Sequence, residues 1–415
     1  MGKYSGFLKT LGPGLLFAGA AVGVSHLVQS TRAGANYGFA LVGLVLLTNM
    51  LKYPFFEFAS RYTAGMGESL LHGYRRIGLW AVYLFLALTV LVMFTIQAAV
   101  TMVTAALATQ LFNFGLDIFQ WTTVLLMVCC LVLAVGKYAL LDKMMKVIVV
   151  LLSLSTLAAL VVAIANSGST QHVNSETVLW NAAGISFMVA LMGWMPSPID
   201  VSVWNSLWAI EREKQTGHKP TVRQAIWDLN IGYMGTVFIA LSFLSLGALV
   251  FYGSGETLSA KGTVFASQVI ELYTANLGSW SKGFIATAAF STMFSTTLTC
   301  LDAFPRVLTQ TLQLLTSRKL GPRRSYWGSL AVVTAGTTVL LRGFTHQMTA
   351  MVDLATTLSF LTAPVLAFFN YKVVFSSWFP SASRPPAWLR LLSWAGMVFL
   401  TGFSLTFIYW RFLAG

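Results

Sequence analysis

Charged residues are scarce in this chain: only 9% of its 415 residues are Asp, Glu, Lys or Arg, whereas 56% are hydrophobic. A protein with so little charge could not cover itself with the polar surface that solubility requires. The sequence also lacks a hydrophilic stretch large enough for a second domain. We therefore predict an all-α integral membrane protein whose residues 1–415 form a single transmembrane domain in the lipid bilayer.

The motifs of common enzymes are missing as well. The sequence has no phosphate loop, no dinucleotide fingerprint and no clustered His/carboxylate hydrolase motif. Its three cysteines, Cys129, Cys130 and Cys300, lie in apolar segments without metal-ligand spacing, which is typical of core packing. The net charge of +13 is spread over short loops and forms no basic patch for nucleic acid. We predict that the chain is not an enzyme and needs no cofactor.

Apolar stretches long enough to cross ~30 Å of hydrocarbon recur along the whole sequence. The segment 253–280 is less apolar and is predicted to be an external loop with a short helix. Most of the 26 Lys and Arg residues fall on the side that the N-terminus shares, which predicts a cytoplasmic N-terminus and an outside C-terminus, in a bacterial inner (plasma) membrane. The predicted spans are 11–33, 38–60, 79–111, 118–136, 145–166, 178–208, 226–252, 281–315, 326–342, 347–371 and 389–412.

Two of these eleven spans are interrupted by small residues or prolines. The first interruption is Gly19–His26, and the second is Met192–Asp200, which contains Pro196 and Pro198. Irregular backbone is tolerated deep in a bilayer only where protein buries it or where it lines a polar cavity. The two interruptions therefore predict the substrate site of a transporter. The predicted substrate-binding residues are Gly23, Ser25, His26, Met195 and Ser197.

Each interrupted span begins a set of five. This arrangement predicts an inverted repeat, with repeat one at about 11–166, repeat two at about 178–371 and an additional helix at about 389–412. The repeat is inferred from topology, because the two halves show no clear similarity residue by residue.

Three segments carry a resemblance to a known family. They are Gly12-Pro13-Gly14-Leu15-Leu16, Ala33-Gly34-Ala35-Asn36-Tyr37-Gly38 and Lys143-Met144-Met145-Lys146-Val147-Ile148-Val149-Val150. The chain resembles the Nramp metal-transporter family, and the resemblance implies a leucine-transporter-like fold with a 5+5 inverted repeat and about 11 transmembrane helices.

The chain departs from that family where the family binds its metal. The family's first break reads Asp-Pro-Gly-Asn, and this chain has Gly23-Val24-Ser25-His26 there. The family's Met-Pro-His in the sixth span is Met195-Pro196-Ser197 here, which keeps the thioether and loses the imidazole. The third-span acidic residues of the family have no counterpart between Glu68 and Asp117. The resemblance therefore supports a transporter without supporting the usual metal ligands.

The substrate predicted from these departures is a small inorganic ion, and two hypotheses remain open. If Ser25 caps the outer half of the first span and Ser197 caps the half-helix after the second break, two half-helix N-termini face the cavity. Their free N–H groups and helix dipoles favour an anion, with bicarbonate as the preferred candidate. The alternative is a divalent metal cation, magnesium or manganese, with a proton as a candidate coupling ion. Its ligands would be His26, Met195 and Asp200, although Asp200 also fits the first turn of a helix that Ser197 caps.

Sodium is the predicted coupling ion for an anion carrier. Proteins of the leucine-transporter fold often bind sodium between eighth-span hydroxyls and first-break carbonyls, and this resemblance selects Ser291, Ser295 and Thr296. Close packing of helices through small residues explains the same hydroxyls without an ion.

The remaining charges inside the spans have structural explanations. Glu57 and Arg61 have the i,i+4 spacing of a helical ion pair. Lys52 can pair with Glu57 or snorkel towards water, and Arg32 is predicted at the membrane edge. Asp302 and Asp353 are further candidates for an ion pathway, because intramembrane carboxylates are costly unless they are paired or functional.

Overall fold

Long helices account for the described part of the chain. We describe a computed structural model that covers residues 12–112, 114–135, 150, 153–165, 179–316, 321–344 and 347–413. The Lys143–Val149 segment lies outside the described residues, and the predicted span 145–166 is described mainly over Ser153–Ala165. The helices are α1 Pro13–Ala21, α2 Thr31–Tyr37, α3 Val42–Met66, α4 Leu70–Ile77, α5 Leu79–Leu111, α6 Ile118–Val135, α7 Ser153–Ala165, α8 Ala182–Gly193, α9 Val201–Thr216, α10 Val222–Val250, α11 Gly262–Leu277, α12 Lys282–Leu315, α13 Pro322–Phe344, α14 Met348–Val374 and α15 Ala387–Phe412.

Six helices of the described part are long and apolar enough to cross a membrane: α5, α6, α10, α12, α14 and α15. A seventh span results if the bent pair Pro13–Ala21 and Ser25–Tyr37 is taken as one. On α15 the exposed large side chains include Trp388, Leu391 and Val398, which is the apolar exterior that lipid contact requires. Eleven spans stay a prediction, whereas the short helix expected within 253–280 is confirmed as α11.

Both helix interruptions lie where the sequence predicts them. The first break is Val22–Val24, and the axis bends there by 45° between α1 and the π-helical turn Ser25–Ser30, which continues into α2. The second break is Trp194–Asp200, between α8 and α9. Pro196 and Pro198 lack the N–H groups that a continuous helix needs at these positions.

The first broken helix packs along α10 through glycines. A Cβ added to Gly14 would lie 1.9 Å from the carbonyl oxygen of Asp228, and one added to Gly34 would lie 1.9 Å from that of Leu244. On the α10 side, a Cβ on Gly247 would lie 2.3 Å from the carbonyl oxygen of Thr31. Small residues of this kind let membrane helices approach to backbone contact. The first break is therefore held against a continuous helix.

Candidate functional site

Ser25 and His26 contact each other at the first break. Ser25 Oγ lies 2.6 Å from the carbonyl oxygen of Ala21 and 2.7 Å from His26 Nδ1. His26 Nε2 lies 2.9 Å from the carbonyl oxygen of Thr236 on α10 and must donate to it, because a carbonyl only accepts. Both side chains are buried. The hydroxyl of Ser25 thus contacts a carbonyl and does not cap the half-helix, contrary to the sequence-based interpretation.

A small cavity lies between the two breaks. Its volume is about 20 Å³, which is room for about one water molecule. Of the predicted site residues, Ser25, Ser197 and Thr296 line it together with Trp194, Trp204 and Cys300. Gly23, His26, Met195, Asp200, Ser291 and Ser295 are not among its lining residues. The structure therefore brings one hydroxyl from each of three elements together and directs the imidazole of His26 towards α10.

Lys52 reaches the second break from α3. Its Nζ donates to the carbonyl oxygens of Met192 at 3.2 Å, Gly193 at 3.1 Å and Ser197 at 2.7 Å. The residue is 0% exposed, so its ammonium neither snorkels to water nor pairs with Glu57, and both of the sequence-based explanations for it are wrong. Glu57 pairs with Arg61 instead, as the i,i+4 spacing predicts, at 2.5 Å.

Two oxygens at the second break are left without a hydrogen bond. Ser197 Oγ and Asp200 Oδ2 are buried and have no partner among the described residues. Asp200 also interacts electrostatically with Lys52. The helix α9 begins at Val201, after a turn in which the Val201 N–H donates to the Pro198 carbonyl at 3.2 Å, and no side chain caps it. Ser197 is therefore not the N-cap that the sequence suggested.

Thr296 on α12 contacts the backbone beside the first break. Its Oγ1 lies 3.2 Å from the carbonyl oxygen of Gly19, and a Cβ placed on Gly23 would lie 2.9 Å from this side chain. The same hydroxyl lies 3.1 Å from the carbonyl oxygen of Thr292. This hydroxyl and the Gly19 carbonyl, which together could contact a coupling ion, hydrogen-bond to each other. The contact fits the helix-packing explanation that the sequence left open.

On one side of the site, a polar network joins the first broken helix to α14. Arg32 pairs with Asp353 at 2.7 Å and donates to Gln29 Oε1 at 2.9 Å, while Gln29 Nε2 donates to Asp353 at 2.9 Å. The Arg32 guanidinium also lies over the Phe187 ring at 5.2 Å. Arg32 is thus paired as well as near the surface, and Asp353 is its partner. The network closes the side that the sequence predicts to be outside.

Trp204, which lines the cavity, also belongs to an aromatic pair. Trp204 and Phe304 meet edge to face with ring centroids 4.9 Å apart, and both are buried. Further along α9 and α12, Leu207 and Thr309 line a vestibule of about 680 Å³. Its charged lining residues include Glu68, Glu211, Lys214, Arg306 and Arg323. Asp302 lies behind this lining, paired with Arg306 at 2.6 Å.

Sequence reasoning missed two long-range contacts of the broken helices. One is the reach of Lys52 to the second break. The other is Asp228 on α10, whose carboxylate accepts from the N–H of Gly12 at 3.1 Å and of Gly14 at 2.7 Å, and so holds the start of α1. In both cases the sequence contains a lone charge in or beside an apolar span. Such a charge is costly unless it is paired, and this cost indicates that a partner exists.

Metal-binding side chains are sparse. The described residues contain no group of three or more His, Cys, Asp or Glu side chains that could hold a metal ion. A cation at the second break would therefore bind one carboxylate, from Asp200, with the Ser197 hydroxyl, the Met195 thioether and backbone carbonyls. Carbonyl and carboxylate oxygens suit magnesium and manganese, and the thioether is a softer ligand.

Comparison with known proteins identifies the family. Residues 14–410 match the family described as natural resistance-associated macrophage protein-like, or Nramp. The chain belongs to the Nramp family. It is also 37% identical over 402 residues to an uncharacterized protein of Pasteurella multocida, with 96% of this chain and 91% of that protein covered. The resemblance found in the sequence is confirmed, and with it a membrane transporter.

Solved structures show the same fold. A complex of the Eremococcus coleocola manganese transporter with an aromatic bis-isothiourea compound superposes with a TM-score of 0.72 at 14% identity, covering 98% of this chain and 87% of that one. A mutant of that transporter gives 0.71 at 15% identity, covering 100% and 90%. MhsT bound to L-phenylalanine gives 0.63 at 13% identity, covering 99% of each chain. The predicted leucine-transporter-like helical fold is confirmed, whereas the bicarbonate and sodium expectations gain no support from these proteins.

Proposed function

We propose that this Nramp-family protein transports a divalent metal cation, manganese or magnesium, through a site at the second break. The observation that carries the proposal is that this break already binds a positive charge, the ammonium of Lys52, through three carbonyl oxygens. Met192 and Gly193 are the last residues of α8, the end of a helix where the dipole attracts cations. The manganese transporter that shares the fold adds support from outside the chain.

Unsatisfied acceptors at the same break favour a cation over an anion. Asp200 Oδ2 and Ser197 Oγ are buried without partners, and a carboxylate oxygen can only accept. A bicarbonate ion beside Asp200 would meet a like charge. It would also find no donor on Lys52, because an ammonium has three N–H groups and all three are used on carbonyls.

Alternating access would place this site between two different barriers. In this proposal the network of Arg32, Asp353 and Gln29 is the barrier on one side, and the Trp204–Phe304 pair is the barrier on the other. The small volume of the cavity, about 20 Å³, supports a closed state in the transport cycle. Separating the aromatic pair would connect the cavity to the vestibule.

The test is uptake into proteoliposomes containing the purified full-length chain. We expect saturable uptake of Mn²⁺ or Mg²⁺, and a loss of at least about tenfold in Asp200→Asn, because the site's one carboxylate is replaced by a neutral amide. Glu256→Gln, an exposed carboxylate in the loop before α11, is the matched control and should transport like the wild type. Bicarbonate uptake with and without a sodium gradient is measured in parallel. Sodium-dependent bicarbonate uptake without metal uptake would overturn the proposal.

A further inference from the structure

We infer that Lys52 is a tethered cation: its ammonium occupies backbone ligands of the substrate in the empty carrier and leaves them when the substrate enters. The inference rests on the proposed function, because it takes the substrate to be a cation that uses the carbonyls of Met192, Gly193 and Ser197. It goes further by assigning a competitor for those carbonyls within the chain itself.

The geometry of the ammonium resembles ion coordination more than a surface contact. Three acceptors surround Nζ at 2.7–3.2 Å, which uses each of its three N–H groups once. Two of the acceptors end α8, and the third, Ser197, lies in the break itself. Lys52 is 0% exposed, whereas a lysine that only packs its stem normally extends its charge to water. Backbone carbonyls are also what hard metal cations bind in proteins.

The same carbonyls cannot serve the ammonium and a metal ion at one time. A displaced ammonium needs a new acceptor, and Asp200 provides one: its Oδ2 has no partner, and the carboxylate already interacts electrostatically with Lys52. Because a carboxylate has two oxygens, Asp200 can contact the metal with one and the ammonium with the other. The displacement therefore leaves neither charge without a partner.

The Lys52 ammonium affects the step in which the carrier returns without substrate. With Lys52 in place, the break keeps a cation on its carbonyls after the substrate has left, so the empty protein can reorient and net uptake can proceed. Without the ammonium, the carbonyls of Gly193 and Ser197 would lose this partner inside the protein unless a metal ion were bound, whereas the Met192 carbonyl also accepts from the Met195 N–H at 3.4 Å. A variant that lacks the tethered charge should therefore exchange metal for metal but return slowly when empty.

The first experiment measures Mn²⁺ binding to the full-length chain in detergent, by the rise in melting temperature and by direct titration. Lys52→Met and Lys52→Gln should bind Mn²⁺ about tenfold more tightly than the wild type, because an internal competitor lowers apparent affinity. The glutamine variant retains two donors for the carbonyls and so serves if the methionine variant does not fold. Leu51→Met, a neighbouring change that leaves Lys52 intact, is the control and should bind like the wild type. Equal or weaker binding in the folded Lys52 variants overturns the inference.

The second experiment separates net uptake from exchange in proteoliposomes. For Lys52→Met, which offers the carbonyls no donor, we expect net ⁵⁴Mn²⁺ uptake into empty vesicles to fall about tenfold, while exchange into vesicles preloaded with Mn²⁺ stays within about twofold of the wild type. Lys52→Gln, which keeps two donors, should show a smaller fall in net uptake and the same unchanged exchange. A parallel fall in both fluxes would show a merely structural role and overturn the inference. If the wild type carries no metal but the binding difference persists, the proposed function fails, while the competition between Lys52 and a metal ion for the same carbonyls is supported. If neither difference is seen, the tethered cation is excluded whatever the wild type transports.

Discussion

The two helix breaks differ in the side chains that contact their backbone carbonyls. Beside the first break the backbone carbonyls of Ala21 and Gly19 contact the neutral side chains of Ser25 and Thr296, while His26 donates to a carbonyl on α10. At the second break they contact a full charge, the Lys52 ammonium, with the Asp200 carboxylate nearby. The first break therefore resembles a helix-packing contact, whereas the second resembles an ion-binding site in which the Lys52 ammonium is the bound cation. This difference, more than the presence of two breaks, points to where a substrate ion binds.

The contrast also explains why the anion hypothesis was attractive from the sequence. Two half-helix N-termini facing one cavity would favour an anion, but Ser25 contacts a carbonyl and no side chain caps the start of α9. The charge that decides the matter comes from α3, a helix outside both breaks. A break must therefore be judged by what contacts its carbonyls as well as its N–H groups.

The largest effect should come from removing one charge of the second break. Lys52→Met should lower the free energy of unfolding by about 3 kcal/mol, because it leaves Asp200 buried without its compensating charge. The double variant Lys52→Met/Asp200→Asn should recover a large part of that loss. Thermal unfolding in detergent without added metal measures both values. Strict additivity of the two single losses would show that the charges do not interact.

A smaller effect is expected where a charge supports the first broken helix from outside the break. Asp228→Asn should cost about 2 kcal/mol, since the carboxylate accepts two N–H groups at the start of α1 and charged acceptors form the stronger hydrogen bonds. The same unfolding measurement applies. Glu256→Gln, at an exposed loop position, is the control. A loss no greater than that of the control would remove Asp228 from the account of the fold.

Neutral contacts at the first break should matter less still. Ser25→Ala removes a hydroxyl that contacts Ala21 and His26, and we expect a loss of about 1 kcal/mol with Mn²⁺ affinity unchanged. Calorimetric titration of Mn²⁺ gives the affinity. A tenfold loss of Mn²⁺ affinity in a folded Ser25→Ala protein would move the ion site to the first break and reverse the comparison.

The smallest effect on stability is expected at the outer network. Asp353→Asn should cost only about 0.5 kcal/mol, because the Asp353 side chain is 38% exposed and solvent screens its pair with Arg32. Its effect should instead be on access: the thiol of Cys300, which lines the cavity, should react faster with a polar maleimide added from outside. An unchanged reaction rate would show that the network is not the barrier on that side.

Local sequence patterns predicted much of the fold. The apolar stretch 79–111 coincides with α5, Leu79–Leu111, and Pro196 and Pro198 mark the second break. The Glu57–Arg61 pair followed from i,i+4 spacing alone. These features depend on residues close in sequence, where helical periodicity and the missing N–H groups of proline act directly.

The site was less predictable because its decisive contacts are long-range. Lys52 lies 140 residues before Met192, and Asp228 lies 216 residues after Gly12. A sequence shows that a buried charge needs a partner but does not show which helix supplies it. For Lys52 the nearest candidate along the chain was Glu57, and the true acceptors are carbonyls, which every residue carries and no sequence pattern marks.

The most direct test of the central claim, a cation site at the second break, is the sign of the transported charge. Proteoliposomes on a solid-supported membrane report the current that follows a rapid switch to Mn²⁺, Mg²⁺ or bicarbonate. We predict a transient inward movement of positive charge with Mn²⁺ or Mg²⁺ that Asp200→Asn abolishes, and no current with bicarbonate at either sodium concentration. A current with bicarbonate and no current with Mn²⁺ or Mg²⁺ would contradict the claim and support the anion hypothesis instead.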